Sequence, residues 1–111
     1  MQDFVFLKVE KSHVRVRFSE ILMIQADKKY VTVVTEDSSF LTLSSMNHIE
    51  KMLPPDSFCR IHRSYIVALG KICHFDNELV YIGNRKIPIA EKYLHALKNS
   101  VIIINGDGES H

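Results

Sequence analysis

Hydrophobic and polar positions alternate in short stretches along most of this chain, and the stretches are punctuated by turn residues at intervals typical of an all-β domain. Phe4 to Val9 is the first β-like segment, with four apolar residues ahead of Lys8. His13 to Phe18 alternates strictly, with Val14, Val16 and Phe18 on one face and His13, Arg15 and Arg17 on the other, the signature of a strand wet on one side. Ile21 to Ala26 is more continuously apolar, as a strand covered on both faces is, and the polar Asp27-Lys28-Lys29 separates it from Tyr30 to Thr35. That pattern predicts a hairpin with a charged tip. Glu36-Asp37-Ser38 predicts another turn and Phe40 to Leu43 a further strand, so a β meander is expected to fill the first 43 residues.

The period then changes. Met46, Ile49, Met52 and Leu53 fall on one helical stripe, Ser44 or Ser45 can cap its start, and Pro54-Pro55 ends it. Phe58 to Val67 returns to the extended pattern, followed by expected strands at Ile72 to Phe75, Glu78 to Ile82 and Lys86 to Ile89, with a Gly83-Asn84 turn between the last two. Ala90 to Lys98 has helical composition, with Tyr93, Leu94 and Leu97 as its apolar edge. The expected fold class is therefore mainly β: an elongated, multi-stranded antiparallel domain with one short central helix and a C-terminal helix. Residues 1–104 are expected to form one domain, and 105–111, which lack any apolar side chain, a flexible tail.

Composition narrows the function. With 111 residues, 46% hydrophobic and 24% charged, the chain has room for one core and none for a two-domain enzyme with an interdomain cleft. No apolar run approaches the ~20 residues that cross a bilayer, and Asp3 stands where a secretory signal carries a basic start, so a cytoplasmic location and no membrane partner are expected. Cys59 and Cys73 are then expected to be free, buried thiols. Net charge is only +1, but residues 60–98 carry +4 against −1 in residues 1–59 and −2 in the tail. The cationic excess sits in the C-terminal half.

Within that half, Phe58-Cys59-Arg60-Ile61-His62-Arg63-Ser64-Tyr65-Ile66-Val67 interleaves basic side chains and a hydroxyl with large apolar anchors. Such a segment can be pinned by its anchors and still present donors. The planar fork of arginine suits phosphate, or O6 and N7 of guanine together, and His and Ser add phosphate hydrogen bonds. A solvated strand edge explains the spacing equally well.

Metal and catalytic readings have less support. Six histidines are present, and Cys59-x-x-His62 and Cys73-His74 could meet in space, but no pair has the spacing of a zinc finger. A Cys59 nucleophile with His62 or His74 as base lacks a glycine-rich oxyanion turn, and no phosphate-cradling glycine motif occurs. Neither enzyme activity nor a cofactor is expected.

The central motif, followed by Ile72 and by Ile87-Pro88-Ile89-Ala90-x-Lys92-Tyr93, resembles the signature of the LytTR family, DNA-binding output domains of bacterial two-component response regulators. Ile21 to Val31 is similar to that family's "I..I.A...Y" strand and loop, so the resemblance covers nearly all of residues 4–98. It implies a mostly β, elongated domain whose loops enter the major groove of double-stranded promoter DNA and which regulates transcription when an attached receiver is phosphorylated. Two copies on tandem half-sites are implied, and a receiver is absent from a chain this short.

By that resemblance the DNA contacts map to three regions. Lys28, Lys29 and Tyr30 form the first; Arg60, His62, Arg63 and Ser64 the second, with Arg63 as base reader; and the start of the last helix the third. There the family commonly has Ser-Arg and this chain has Ala90-Glu91, which exchanges attraction for repulsion unless Glu91 accepts from cytosine N4. Lys92 is placed to take over the phosphate contact, and Lys86 is a further candidate. Other roles stay open for several of these residues: solubilising charge for Lys28 and Lys29, core packing for Tyr30, loop support for His62, and pairing of Arg60 with an acid such as Asp56. A protein-interaction domain on the same scaffold, having lost DNA binding, is the alternative function, and an apolar patch in place of the cationic edge is its expected mark.

Overall fold

The computed structural model describes residues 2–106; the last part of the expected tail, 107–111, lies outside the described residues. Among the described residues ten strands run in the order β1 (Phe4–Val9), β2 (Ser12–Arg17), β3 (Ile21–Asp27), β4 (Tyr30–Thr35), β5 (Ser39–Leu43), β6 (Phe58–His62), β7 (Tyr65–Ala68), β8 (His74–Phe75), β9 (Leu79–Ile82) and β10 (Arg85–Pro88). Helix α1 (Met46–Met52) lies between β5 and β6, and α2 (Glu91–Asn99) follows β10. All pairings are antiparallel and the molecule is elongated, 56 × 30 × 26 Å. No helix among the described residues is long and apolar enough to cross a membrane.

The strands form three sheets: β1-β2, the five-stranded β5-β4-β3-β7-β6, and β10-β9-β8. The expected meander is therefore broken after β2. A two-stranded hairpin is marginal alone, and this one is held by packing its wet-and-dry alternation onto the five-stranded sheet. Leu7 and Val16 of the hairpin join Ile24, Val31, Val33 and Ile66 of that sheet, and Met46, Ile49 and Leu53 from α1 and its end, in one core. The opposite face of the same sheet presents Met23, Val34, Ile61 and Val67 to Val80, Ile82 and Ile87 of the third sheet and to Leu97 of α2. The apolar first half of β3 is covered on both faces, with a bulge between Ile21 and Met23.

Local chemistry sets the boundaries. The Ser45 hydroxyl accepts the His48 amide at 3.1 Å and starts α1. The stripe then departs from expectation: Met52 is 59% exposed and Leu53, beyond the last helical residue, is buried in its place. The helix ends there, so the chain turns Leu53 inward one residue later. Of the expected strand at 72–75 only His74–Phe75 is paired as β8; Leu69–Lys71 forms a 3-10 turn ahead of it, and Ile72 is extended as the chain leaves that turn. Gly83 takes φ +58° at the β9–β10 turn, a left-handed conformation suited to a residue without Cβ.

Candidate nucleic-acid interface

Three of the expected contact regions meet at one end of the five-stranded sheet. The β3–β4 turn and the β6–β7 turn are brought together because β3 pairs with both β4 and β7, Asp27 opposite Tyr30 and Gln25 opposite Tyr65. Across the gap the Ala26 amide donates to the Ser64 carbonyl at 2.9 Å. The start of α2 is tied to the same end, since the Ala90 amide donates to the Ile61 carbonyl at 2.9 Å. Lys28, Lys29, Arg63 and Lys92 thus lie on two turns and a helix start that meet at one end of a sheet packed on both faces.

The residues of the first region are all exposed. Lys28 sits at the turn with φ 55°, a left-handed conformation costly for a side chain with Cβ. Lys29 Nζ lies 6.0 Å from the Tyr30 ring centroid, and Tyr30 is 40% exposed rather than part of the core. In the second region Arg63 is exposed, and its guanidinium has no hydrogen bond or ion pair among the described residues. His62 is half-buried; its Nδ1 accepts the Ser64 amide at 3.0 Å and its ring lies 5.1 Å from that of Tyr65. In the neutral ring that acceptor role puts the proton on Nε2.

Arg60 is placed differently from its neighbours. Its side chain is 12% exposed and its charge meets Glu50 at 3.0 Å, not Asp56. All three guanidinium nitrogens donate within the protein: Nε to the His62 carbonyl, Nη2 to the Arg63 carbonyl, and Nη1 to Asn47 and Glu50. The fork expected to bind phosphate is occupied. Asn47 and Glu50 carried no mark in the sequence beyond their spacing of three, which puts them on one face of α1.

In the third region Glu91 and Lys92 occupy the exposed first turn of α2. Lys92 Nζ lies 5.1 Å from the Tyr93 ring centroid, and the Arg60 guanidinium carbon 5.9 Å from the same centroid. Lys86 does not join this end. It pairs with Tyr81 one step from the Gly83-Asn84 turn, and that turn lies beside Leu22 and Glu36, at the far end of β3 and β4.

The remaining candidates are scattered. Cys59 and Cys73 are both free; Cys59 is buried but Cys73 is exposed, contrary to the expectation of two buried thiols. Burial pushes the Cys59 thiol up, opposed by the Ser100 hydroxyl at 3.8 Å and reinforced by the charge of Glu50. The His74 ring stacks on Tyr81 at 4.0 Å. Among the described residues no group of three or more His, Cys, Asp or Glu side chains is close enough to hold a metal ion. Leu41, Leu43 and Tyr30 form an exposed apolar strip on the β4–β5 flank, with Lys8 and Val9 across a groove.

The fold and its crowned end define a class: an elongated β domain that carries exposed cations on two adjacent turns and a helix start at one end. The chain belongs to the LytTr DNA-binding domain family, which it matches over residues 11–101. It is 30% identical over 98 residues to the sensory transduction protein LytT of Bacillus anthracis, covering 83% of this chain and 40% of that protein. The LytT protein of Bacillus subtilis is 31% identical over 103 residues, with 87% and 43% covered. The chain thus spans less than half the length of these curated relatives. A solved LytTr DNA-binding domain from Bacillus cereus superposes with a TM-score of 0.77 at 26% identity, covering 90% of this chain and 97% of that one.

Proposed function

We propose that this domain binds double-stranded DNA in a sequence-dependent way, through turns inserted in the major groove, and serves as the transcription-regulating output of a response regulator in the bacterial cytoplasm. The observation that carries the reading is the convergence of Lys28, Lys29, Arg63 and Lys92 on one end of a rigid sheet, with Arg63 exposed and unpaired among the described residues. Lys28, Lys29 and Lys92 supply phosphate neutralisation, the sequence-independent part of affinity, and Arg63 the base readout. Glu91 lowers the attraction of the third region. Near-neutral net charge makes one domain a modest binder, and two copies on adjacent half-sites raise affinity through effective concentration. Phosphorylation of a receiver is the regulatory input in this reading, which involves no catalysis and no cofactor.

Selection of duplexes from a random pool, followed by titration of the selected and a scrambled duplex at several salt concentrations, tests the reading. A preferred sequence with salt-dependent affinity is the expected result; equal affinity for both duplexes at every salt concentration removes sequence-dependent binding. The exposed strip of Leu41, Leu43 and Tyr30 favours the second reading, a protein-interaction domain. It flanks the cationic end without replacing it, and it becomes the leading surface if no duplex is bound.

A further inference from the structure

A guanidinium removed from water needs acceptors for its donors, and Arg60 has them: the Arg63 carbonyl at 2.7 Å, the His62 carbonyl at 3.3 Å, Asn47 Oδ1 at 2.6 Å and Glu50 Oε1 at 3.0 Å. The same group lies against Tyr93 of α2. One side chain therefore touches α1, the β6–β7 turn and α2. Among the described residues no buried side-chain nitrogen or oxygen lacks a partner, so this polar junction is satisfied as it stands. A phosphate ligand must offer a free fork to its anion, and Arg60 would have to surrender several of these bonds to do so.

The acceptor at Arg63 matters most. Fixing a carbonyl oxygen fixes the plane of its peptide, and this one joins Arg63 to Ser64 at the tip of the turn. The Ser64 amide, in that plane, is held in turn by His62 Nδ1 at 3.0 Å. The backbone that carries the Arg63 side chain is thereby held from both sides of one peptide.

We propose that Arg60 is a positioning residue, braced by Asn47 and Glu50, which sets the aim of Arg63 and so governs sequence discrimination without touching DNA. The proposal rests on the DNA-binding reading above. It separates two quantities that a phosphate contact would change together: the preference between duplexes, which depends on the aim of Arg63, and the salt dependence, which counts neutralised phosphates.

The test is titration of the full chain on the selected and scrambled duplexes across a salt series, comparing wild type, Arg60→Gln, Glu50→Ala and Lys29→Ala. Arg60→Gln is expected to lower the ratio of the two affinities on the order of tenfold, the worth of a hydrogen bond to a charged group, with the slope of log affinity against log salt unchanged. A slope smaller by about 0.9, with both duplexes weakened alike as expected for Lys29→Ala, makes Arg60 a phosphate ligand and overturns the proposal. Should Arg60→Gln not fold, Glu50→Ala decides: a reduced ratio supports the brace and an unchanged ratio overturns it. Hydrogen exchange at the Ser64 amide without DNA gives an independent readout. Faster exchange in Arg60→Gln or Glu50→Ala supports the fixed turn and unchanged exchange overturns it, whereas a wild-type chain without preference between duplexes overturns the DNA-binding reading instead.

Discussion

The amide of Ala26 donates to the carbonyl of Ser64 at 2.9 Å, which ties the turn carrying Lys28 and Lys29 to the turn carrying Arg63. The two cationic tips cannot drift apart without breaking a backbone bond at the end of a sheet packed on both faces. Their spacing is therefore a property of the sheet. Arg63→Ala should leave that frame intact and cost about 1 to 3 kcal/mol on the preferred duplex, with discrimination relaxed at one base position. Titration on a panel of single-base variants of the selected site checks this. An unchanged base preference removes Arg63 from the readout.

Lys28 combines a positive charge with a strained backbone, φ 55°. Glycine relieves about 1–2 kcal/mol of left-handed strain while costing about 0.5–1 kcal/mol in chain entropy, so Lys28→Gly should be as stable as wild type or slightly more so. The same change removes a cation, so every duplex should bind more weakly and the salt slope should fall by about 0.9. Urea unfolding and salt-series titration measure the two effects separately. A stability gain with undiminished binding would show that the lysine is there for solubility.

Glu91 lies in the first turn of α2, where a carboxylate is favoured by the helix dipole, and at the end of the molecule where a polyanion is expected. Glu91→Arg should trade one for the other: a loss of about 0.3–1 kcal/mol in stability and tighter binding to both selected and scrambled duplexes. Unchanged binding would place the first turn of α2 away from the phosphates.

Asp76 organises the β8–β9 turn. Its Oδ1 accepts the amides of Glu78 and Leu79, each at 2.8 Å, and these bonds hold the carboxyl below its usual range, Glu78 contributing most. A depressed value means that the folded state favours the ionised form. Its contribution is complete above the ordinary carboxylate value and is lost as the pH falls through the lowered folded one. Amide shifts of Glu78 and Leu79 should titrate together on that acid limb, and Asp76→Asn should abolish the transition. Shifts that ignore pH in this range would show that the carboxylate does not cap the turn.

The two thiols should separate cleanly under alkylation. Cys73 is exposed, while Cys59 is buried and held in its protonated form by that burial. One equivalent of reagent is expected to enter the native protein at Cys73, and Cys59 should react only on unfolding, as mass mapping of the labelled peptides can establish. Rapid labelling of Cys59 in the native state would reopen the nucleophile reading.

Local chemistry was legible because it is written in adjacent residues. Asp27-Lys28-Lys29, Gly83-Asn84 and Ser45 mark turns and a cap where they occur, and Val14, Val16 and Phe18 announce a one-sided strand. What periodicity cannot convey is which end of a sheet a residue occupies or what lies across from it. Lys86 has the composition of a contact and stands one step from the Gly83-Asn84 turn, away from the end that carries Lys28 and Arg63. Arg60 has the spacing of a contact and is turned inward, because two of its four acceptors, Asn47 and Glu50, come from α1, brought alongside β6 by the fold. The split of the first meander into two sheets depends likewise on packing between distant segments.

The five-stranded sheet, with oil on both faces, acts as a girder, and its end turns inherit that stiffness. A domain of this build gains little by bending to meet a new operator. Divergence toward other promoters is then a matter of exchanging the few side chains at the tips, while the frame beneath them stays put.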